Sequence, residues 1–582
     1  MCNVKYYNAN YQIIQKIENI NKHFGVKIES YIQIISISLL VFITSILFLS
    51  SVILFFHKPI SGLPLIVGTI VSIFFLFYLS KLYFVNYWLY KGVSILFITC
   101  MLLIPGMILA GNLFDVSVDG LRYHQEGVIQ LVQEEWNPMY DKFLPKDNPV
   151  NGIWIKHYPK GPWYCAASLY SLTGRIEYGK FFNYIAVLTA FFYLLQLLIK
   201  IFSSNIILAV LITLIATINP ICPGQIMTYY VDCQMSSYLS ILISVLILYI
   251  IQQRILYLVS IILSIIILAN IKLTGIIYAG ILVFSGFIVL SIRDKLFHYK
   301  EAVLFLFAAL FATVIIGFNP YITNTRDFGN PFYPAIGANK IDIIDSQWPL
   351  QESHQERENR IFQLLKTIYY SPQSKKFELC HISISHSIPY WGVWDARIAG
   401  FGPLFNIIFT LALLACIPIG IILYKNQKEN FKYLIYFITI LFGSIFITPA
   451  CWWARLAPHL WVFPIAILVI SFKIFSGRPF FPLLMLILLF INVGLCITQA
   501  SQVQISSTKL MRSHLKLLST VEQPVQIYLG ELYFRPLITR LKEYGIEAIE
   551  VKSISDLTLP HKMALVRPES DVIVAYRKKI GQ

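Results

Sequence analysis

Hydrophobic residues make up 57% of the 582 positions and charged residues only 13%, and the mean hydropathy is +0.67, which excludes an ordinary water-soluble fold. The formal charge of +16 therefore belongs to membrane topology and anionic lipid rather than to nucleic acid, for which no binding motif appears. Nine scattered cysteines, several within apolar stretches, form neither a CxxC pair nor a Cys/His metal spacing.

Residues 1–30 read as a cytoplasmic lead-in, partly amphipathic between Tyr6 and Ile28 and carrying Lys5, Lys16, Lys22 and Lys27. The first apolar run lacks a small-residue cleavage site, so it is expected to stay as an anchor. Apolar segments fall near 32–56, 63–80, 91–111, 181–199, 205–221, 236–251, 255–271, 273–291, 302–318, 404–424, 432–448, 458–474 and 480–498. Each approaches the length needed to cross a hydrocarbon core of about 30 Å. About thirteen transmembrane helices are thus expected, an all-α polytopic module over 31–498. Lys81, Lys91, Lys200, Arg254, Arg293, Lys295, Lys300, Lys425, Lys428 and Lys432 fall in short loops on the side of the N-terminus. The positive-inside rule makes that side cytoplasmic. Thirteen crossings then put loops 112–180 and 319–403, and the tail from 499, on the outer face. A bacterial inner (plasma) membrane, with the C-terminus periplasmic, is the expected location.

The tail, 499–582, reads as a small extracytoplasmic α/β domain. Strands are expected at Val525–Leu529, Ala548–Val551 and Val572–Tyr576, with a basic amphipathic helix from Leu532 to Tyr544 closed by Gly545.

Loop 112–180 holds the densest chemistry. Asp115 and Asp119 stand four residues apart, ahead of an amphipathic run in which Leu121, Val128, Leu131 and Val132 recur at helical spacing, broken at Trp136-Asn137-Pro138. At helical spacing, two ionised carboxylates would raise the pKa of Asp119. They suit a general base, a divalent cation held by oxygen ligands, or simply a helix cap. Downstream, Lys160 lies in Lys156-His157-Tyr158-Pro159-Lys160-Gly161-Pro162. Lys272 separates two apolar segments, where a lysine must snorkel, pair or bind an anion. Arg455, in Trp452-Trp453-Ala454-Arg455, offers a planar fork suited to phosphate oxygens. Trp391, Trp394, Asp395 and Arg397 are candidates to stack on and hydrogen-bond a sugar. Arg326 either lines a substrate wall or pairs with its neighbour Asp327, and Asp232 is a weaker candidate for substrate contact.

The stretch Asp119-Gly120-Leu121-Arg122-Tyr123-His124 resembles the first outer loop of the GT-C superfamily of membrane glycosyltransferases that use polyprenyl-phosphate sugars. The likeness is to the branch of protein O-mannosyltransferases and lipid A aminoarabinose transferases. That pattern is an Asp, usually followed by Glu, then Arg-Tyr at the third and fourth positions; Gly120 stands where the Glu is usual. Lys160-Gly161-Pro162 resembles the branch's Lys-Pro-Pro element. Lys272-Leu-Thr-Gly275 is similar to its Lys-x-x-Gly turn, and Arg455 with Pro458 fits its late loop. The resemblance implies a GT-C-like bundle with a lateral groove for a polyprenyl chain, and inverting sugar transfer to a hydroxyl on the outer face. Asp119 would be the base, with Asp115 the other candidate for that role. Lys160, Lys272 and Arg455 would gather around the donor phosphate, and Arg122, Tyr123, His124, Tyr158, Arg326, Trp394 and His459 would contact substrate. The partners implied are the lipid-linked donor, a lipid, polysaccharide or protein acceptor, and membrane lipid. No cofactor is required, though a divalent cation between the two acids stays open.

One carboxylate is enough for such chemistry, because a phosphate leaves as a stable anion without a general acid. Two other classes compete. A polysaccharide polymerase or ligase of the O-antigen type would depend on His381, His386 and Arg397. A transporter would place ionisable groups in mid-span, where acids are nearly absent.

Overall fold

In a computed structural model of the chain, the residues described are all except 1, 204, 338–339, 342–358, 372–375, 378–389, 397–399, 449–450, 452, 567–570 and 580–582. Among them, nine helices are long and apolar enough to cross a membrane. One of these, Leu63–Asn112, contains two of the expected segments, joined by a short 3-10 turn at Val85–Tyr87. Ile206–Thr217, Ile255–Ile271 and Pro458–Ile474 are shorter apolar helices. Every apolar segment read from the sequence is therefore helical, as a hydrocarbon environment demands of a backbone that must satisfy its own hydrogen bonds. The chain is a polytopic helical integral membrane protein.

Six helices position the site. The first span, α1 (Cys2–Phe55), packs against α2 (Gly161–Thr173) and α3 (Phe181–Ile201). Beside them run α4 (Asp232–Gln252) and α5 (Ile255–Ile271), and α5 breaks into α6 (Leu273–Asp294) at Lys272, whose backbone is extended (φ −157°, ψ 151°). Helix α4 lies deep in the bundle, whereas Leu63–Asn112 lies at its periphery with most of its surface left for lipid. At the start of α2 the sequence explains the geometry. Pro162 fits the first turn, where its missing N–H is not needed. Gly161 is required because a Cβ there would lie 2.6 Å from the carbonyl oxygen of Asn270, near the end of α5.

The last span, α7 (Phe480–Leu518), runs straight through residue 499 and ends 19 residues further on. Its 39 residues reach about 58 Å at 1.5 Å per residue, roughly twice the hydrocarbon core. One continuous rod thus carries the C-terminal domain away from the bilayer. That domain holds β1 (Val525–Tyr528), α8 (Pro536–Glu543), β2 (Ala548–Val551), β3 (His561–Ala564) and β4 (Ile573–Tyr576) in the order β2-β1-β4-β3. β1 and β2 are parallel, with Val525 opposite Ala548; β4 runs antiparallel to both β1 and β3. Strand β3 is missed by sequence pattern because it is an edge strand with His561 and Lys562 exposed. The expected helix 532–544 starts later, at Pro536, after left-handed turns at Gly530 (φ +76°) and Tyr533 (φ +54°).

The core of this domain is not its own alone. Met511, Leu515 and Leu518 of α7 join Val525, Ile527, Leu537, Leu541 and Val574 in one cluster with Phe114, Val116, Leu121, Tyr230 and Trp394 from the membrane module. A domain of this size gains from a shared core.

Candidate active site

Residues 114–117 belong to no helix or strand, and the helix opens at Val118 and Asp119 with a π-helical stretch, Gly120–His124, before the regular helix Gln125–Val132. Such local widening is rare and is enriched at functional sites. Asp115 therefore does not share a helix face with Asp119, and the expected repulsion between them gives way to a different environment. Asp119 is buried with one oxygen 2.8 Å from Arg455 Nη1. Burial pushes its carboxyl up, but the Arg455 guanidinium, with help from Arg122, outweighs this and holds it down at about 2. The base candidate stays ionised and paired.

Arg455 sits in a single 3-10 turn, Ala454–Leu456, its backbone N–H donating to the carbonyl of Ala396. Its guanidinium meets three carboxylates: Asp119, Asp395 (2.8 Å from Nε) and Asp232 (3.5 Å from Nη1). Tyr230 and Trp453 lie against it, each ring centroid 5.2 Å away. Asp232 also accepts from Lys272 Nζ at 2.7 Å. The expected ring of cations is thus an interleaved cluster, in which Arg455 and Lys272 are already held by acids. Arg122 also acts on Asp119, so three carboxylates face three cations.

Lys160 is different. It is 1% exposed, and its Nζ donates to the carbonyls of Lys156 (3.2 Å) and Tyr158 between the faces of Trp136 (5.5 Å) and Trp163 (5.0 Å). It makes no ion pair among the described residues, and burial pushes its pKa well below the usual lysine range. Trp163 connects it to the acid cluster: its indole N–H donates to His124 Nδ1 at 2.9 Å, which leaves the imidazole proton on Nε2. Burial holds His124 neutral, at about 3 despite the attraction of Asp119. Tyr123 and Tyr158 pack on the same ring, and Tyr123 stacks on Trp154 at 5.4 Å. Asp119, Arg122, Tyr123, His124, Tyr158, Lys160, Lys272 and Arg455 belong to one contiguous region.

The other expected residues lie elsewhere. Both oxygens of Asp115 are taken by the backbone N–H groups of Ser117 (2.9 Å) and Tyr229 (2.8 Å) and by Gln125 Nε2 (3.2 Å), so its carboxylate braces loops. Its side chain fills the space a Cβ at Gly120 would need, only 2.2 Å from Oδ2, which is why no larger residue fits there. No group of three or more His, Cys, Asp or Glu able to hold a metal forms among the described residues. Arg326 pairs with Asp327 at 2.8 Å on an exposed surface. Trp394 is buried in the core shared with the C-terminal domain. His459 lies just past Arg455, its Nε2 3.0 Å from Ser444 Oγ and its ring 4.7 Å from Tyr278. Beside Gly161 a cavity of about 10 Å³, lined by Ile43, Leu47, Pro162, Ile267 and Ile271, has room for a water. His381, His386, Arg397 and Trp452 lie outside the described residues, as does the side chain of Trp391.

Asp232 and Asp395 are the contributors sequence reading undervalued. Each carries a faint signal, an acid beside aromatic residues at the edge of an apolar segment, but only tertiary contact reveals the shared arginine.

No family profile and no curated protein matches the sequence. Among solved structures the chain aligns with ArnT from Cupriavidus metallidurans, crystallised in the apo state, at 13% identity and a TM-score of 0.35, over 80% of this chain and 87% of that one. A likeness this slight carries no chemistry, and the functional reading rests on the side chains.

Proposed function

We propose that the chain is a membrane glycosyltransferase that moves a sugar from a polyprenyl-phosphate donor to an acceptor hydroxyl at the outer membrane surface, with inversion. The observation that carries this reading is a buried carboxylate, Asp119, held by Arg455 and joined through His124 and Trp163 to a buried lysine, Lys160, that makes no ion pair among the described residues. A charge-poor pocket containing an unneutralised amine favours an anion, and a phosphodiester supplies one.

In this mechanism the donor phosphate docks at Lys160, draws Arg455 away from Asp119 and draws Lys272 away from Asp232. Loss of the Arg455 contact makes Asp119 more basic. The acceptor oxygen attacks the anomeric carbon as its proton passes to Asp119. The bond from that carbon to the phosphate oxygen breaks, and polyprenyl phosphate departs with the electron pair. A single displacement inverts the anomeric centre. Asp232 and Asp395 hold Arg455 in register throughout.

The test is transfer by the purified protein in detergent from a panel of polyprenyl-phosphate sugars. Asp119→Asn is expected to lower turnover by about 10²-fold or more with donor binding retained, as removal of a general base requires. Equal rates in the two proteins would rule out the mechanism.

A further inference from the structure

The C-terminal domain meets the membrane module through a buried arginine. Arg540 of α8 is 1% exposed, and all its hydrogen bonds run from Nη2: to Glu177, to the backbone carbonyl of Asp115 (2.8 Å) and to Gln125 Oε1 (3.4 Å). Its guanidinium also lies 5.4 Å from the ring of Phe114. The residue it grips is a junction. The Asp115 carboxylate abuts Gly120, which directly follows Asp119, and binds the N–H of Tyr229, which precedes the Tyr230 that lies on Arg455.

A second, independent set of contacts lies nearby. The carbonyl of Leu532 accepts from Asn151, whose own oxygen accepts from Arg122 Nε at 3.0 Å. Arg535 pairs with Glu126 at 2.8 Å and Glu134 at 3.0 Å. Leu532 and Arg535 belong to the turn at the carboxyl end of β1, the edge where α/β sheets ordinarily receive ligands. Here that edge is occupied by the first outer loop.

We infer that the C-terminal domain is a clamp for the active-site loop, and that Arg540 is a positioning residue that sets the placement of Asp119 and Tyr230 through Asp115. The inference rests on the glycosyltransferase reading for its effect on turnover, though not for its effect on the loop.

Full-length Arg540→Met and Arg540→Lys proteins test it. Glu177 keeps Lys180 as an ion-pair partner when Arg540 is lost, so a stranded buried charge is avoided. A lysine retains one donor where Nη2 acts, and so serves as the conservative rescue. In Arg540→Met, backbone hydrogen exchange is expected to rise in 114–124 and 228–233 while the membrane helices keep their protection. Turnover should fall roughly 10- to 100-fold with donor KM little changed, as expected for a misplaced catalytic group, and Arg540→Lys should recover most of both. Exchange that rises only within 525–576, or nowhere, would overturn the clamp. Exchange is measured without any reaction, so a wild-type protein that transfers no sugar would refute the glycosyltransferase reading and leave the clamp standing.

Discussion

Lys160 and Asp119 are both buried but stand in opposite electrostatic states. Asp119 is ionised because Arg455 compensates its burial, whereas Lys160 is buried with carbonyls and tryptophan faces but no anion. An arriving phosphodiester favours the charged lysine and raises its pKa, so donor binding takes up a proton wherever free Lys160 is neutral. The sign follows directly: donor affinity should weaken as pH rises above the depressed pKa of the free lysine. Equilibrium binding from about pH 6 to about pH 9 checks this, and Lys160→Arg, which does not titrate there, should flatten the curve. A flat wild-type curve would place the phosphate away from Lys160. Asp115 and Asp119 look interchangeable in the sequence. Only the non-helical backbone of 114–117 separates the bracing acid from the one that Arg455 holds.

At the level of elements, the approach of α2 to the end of α5 decides where Lys160 points. Gly161 allows that approach, since a methyl group there would lie 2.6 Å from a backbone oxygen that has no freedom to retreat. Gly161→Ala is therefore expected to destabilise the protein by about 1–3 kcal/mol, the usual range for overpacking, and to raise donor KM by displacing Lys160. Thermal melting and steady-state kinetics on the same preparation check both effects; an unchanged melting temperature would mean that α2 can slide without loss. The helices themselves were easy to read, because runs of Ile, Leu and Phe in hydrocarbon have one solution. Strand β3 was not, because its polar edge carries no alternation.

Across the whole molecule, the first outer loop, the Arg455 turn and the C-terminal domain meet at one end of the bundle through Asp119–Arg455, Glu177–Arg540 and Glu126–Arg535. The positive-inside pattern predicts the outer face for that end. An alkaline phosphatase fused after Gln582 should be active in a bacterial host, and a fluorescent protein fused at the same place should stay dark; the reverse pair would invert the topology.

Composition and hydropathy alone settled the membrane class, the thirteen apolar segments and the contrast between the bundle and its polar tail. These depend on transfer free energies that each residue carries wherever it sits. The family resemblance of the motifs around Asp119, Lys160, Lys272 and Arg455 marked these residues out as candidates. Tertiary structure decided the pairing: which acid holds Arg455, which lysine is left without an anion, and which arginine joins the tail to the loop. Charge–charge energy depends on separation and burial, and partners as far apart in the chain as Asp119 and Arg455 acquire both only on folding.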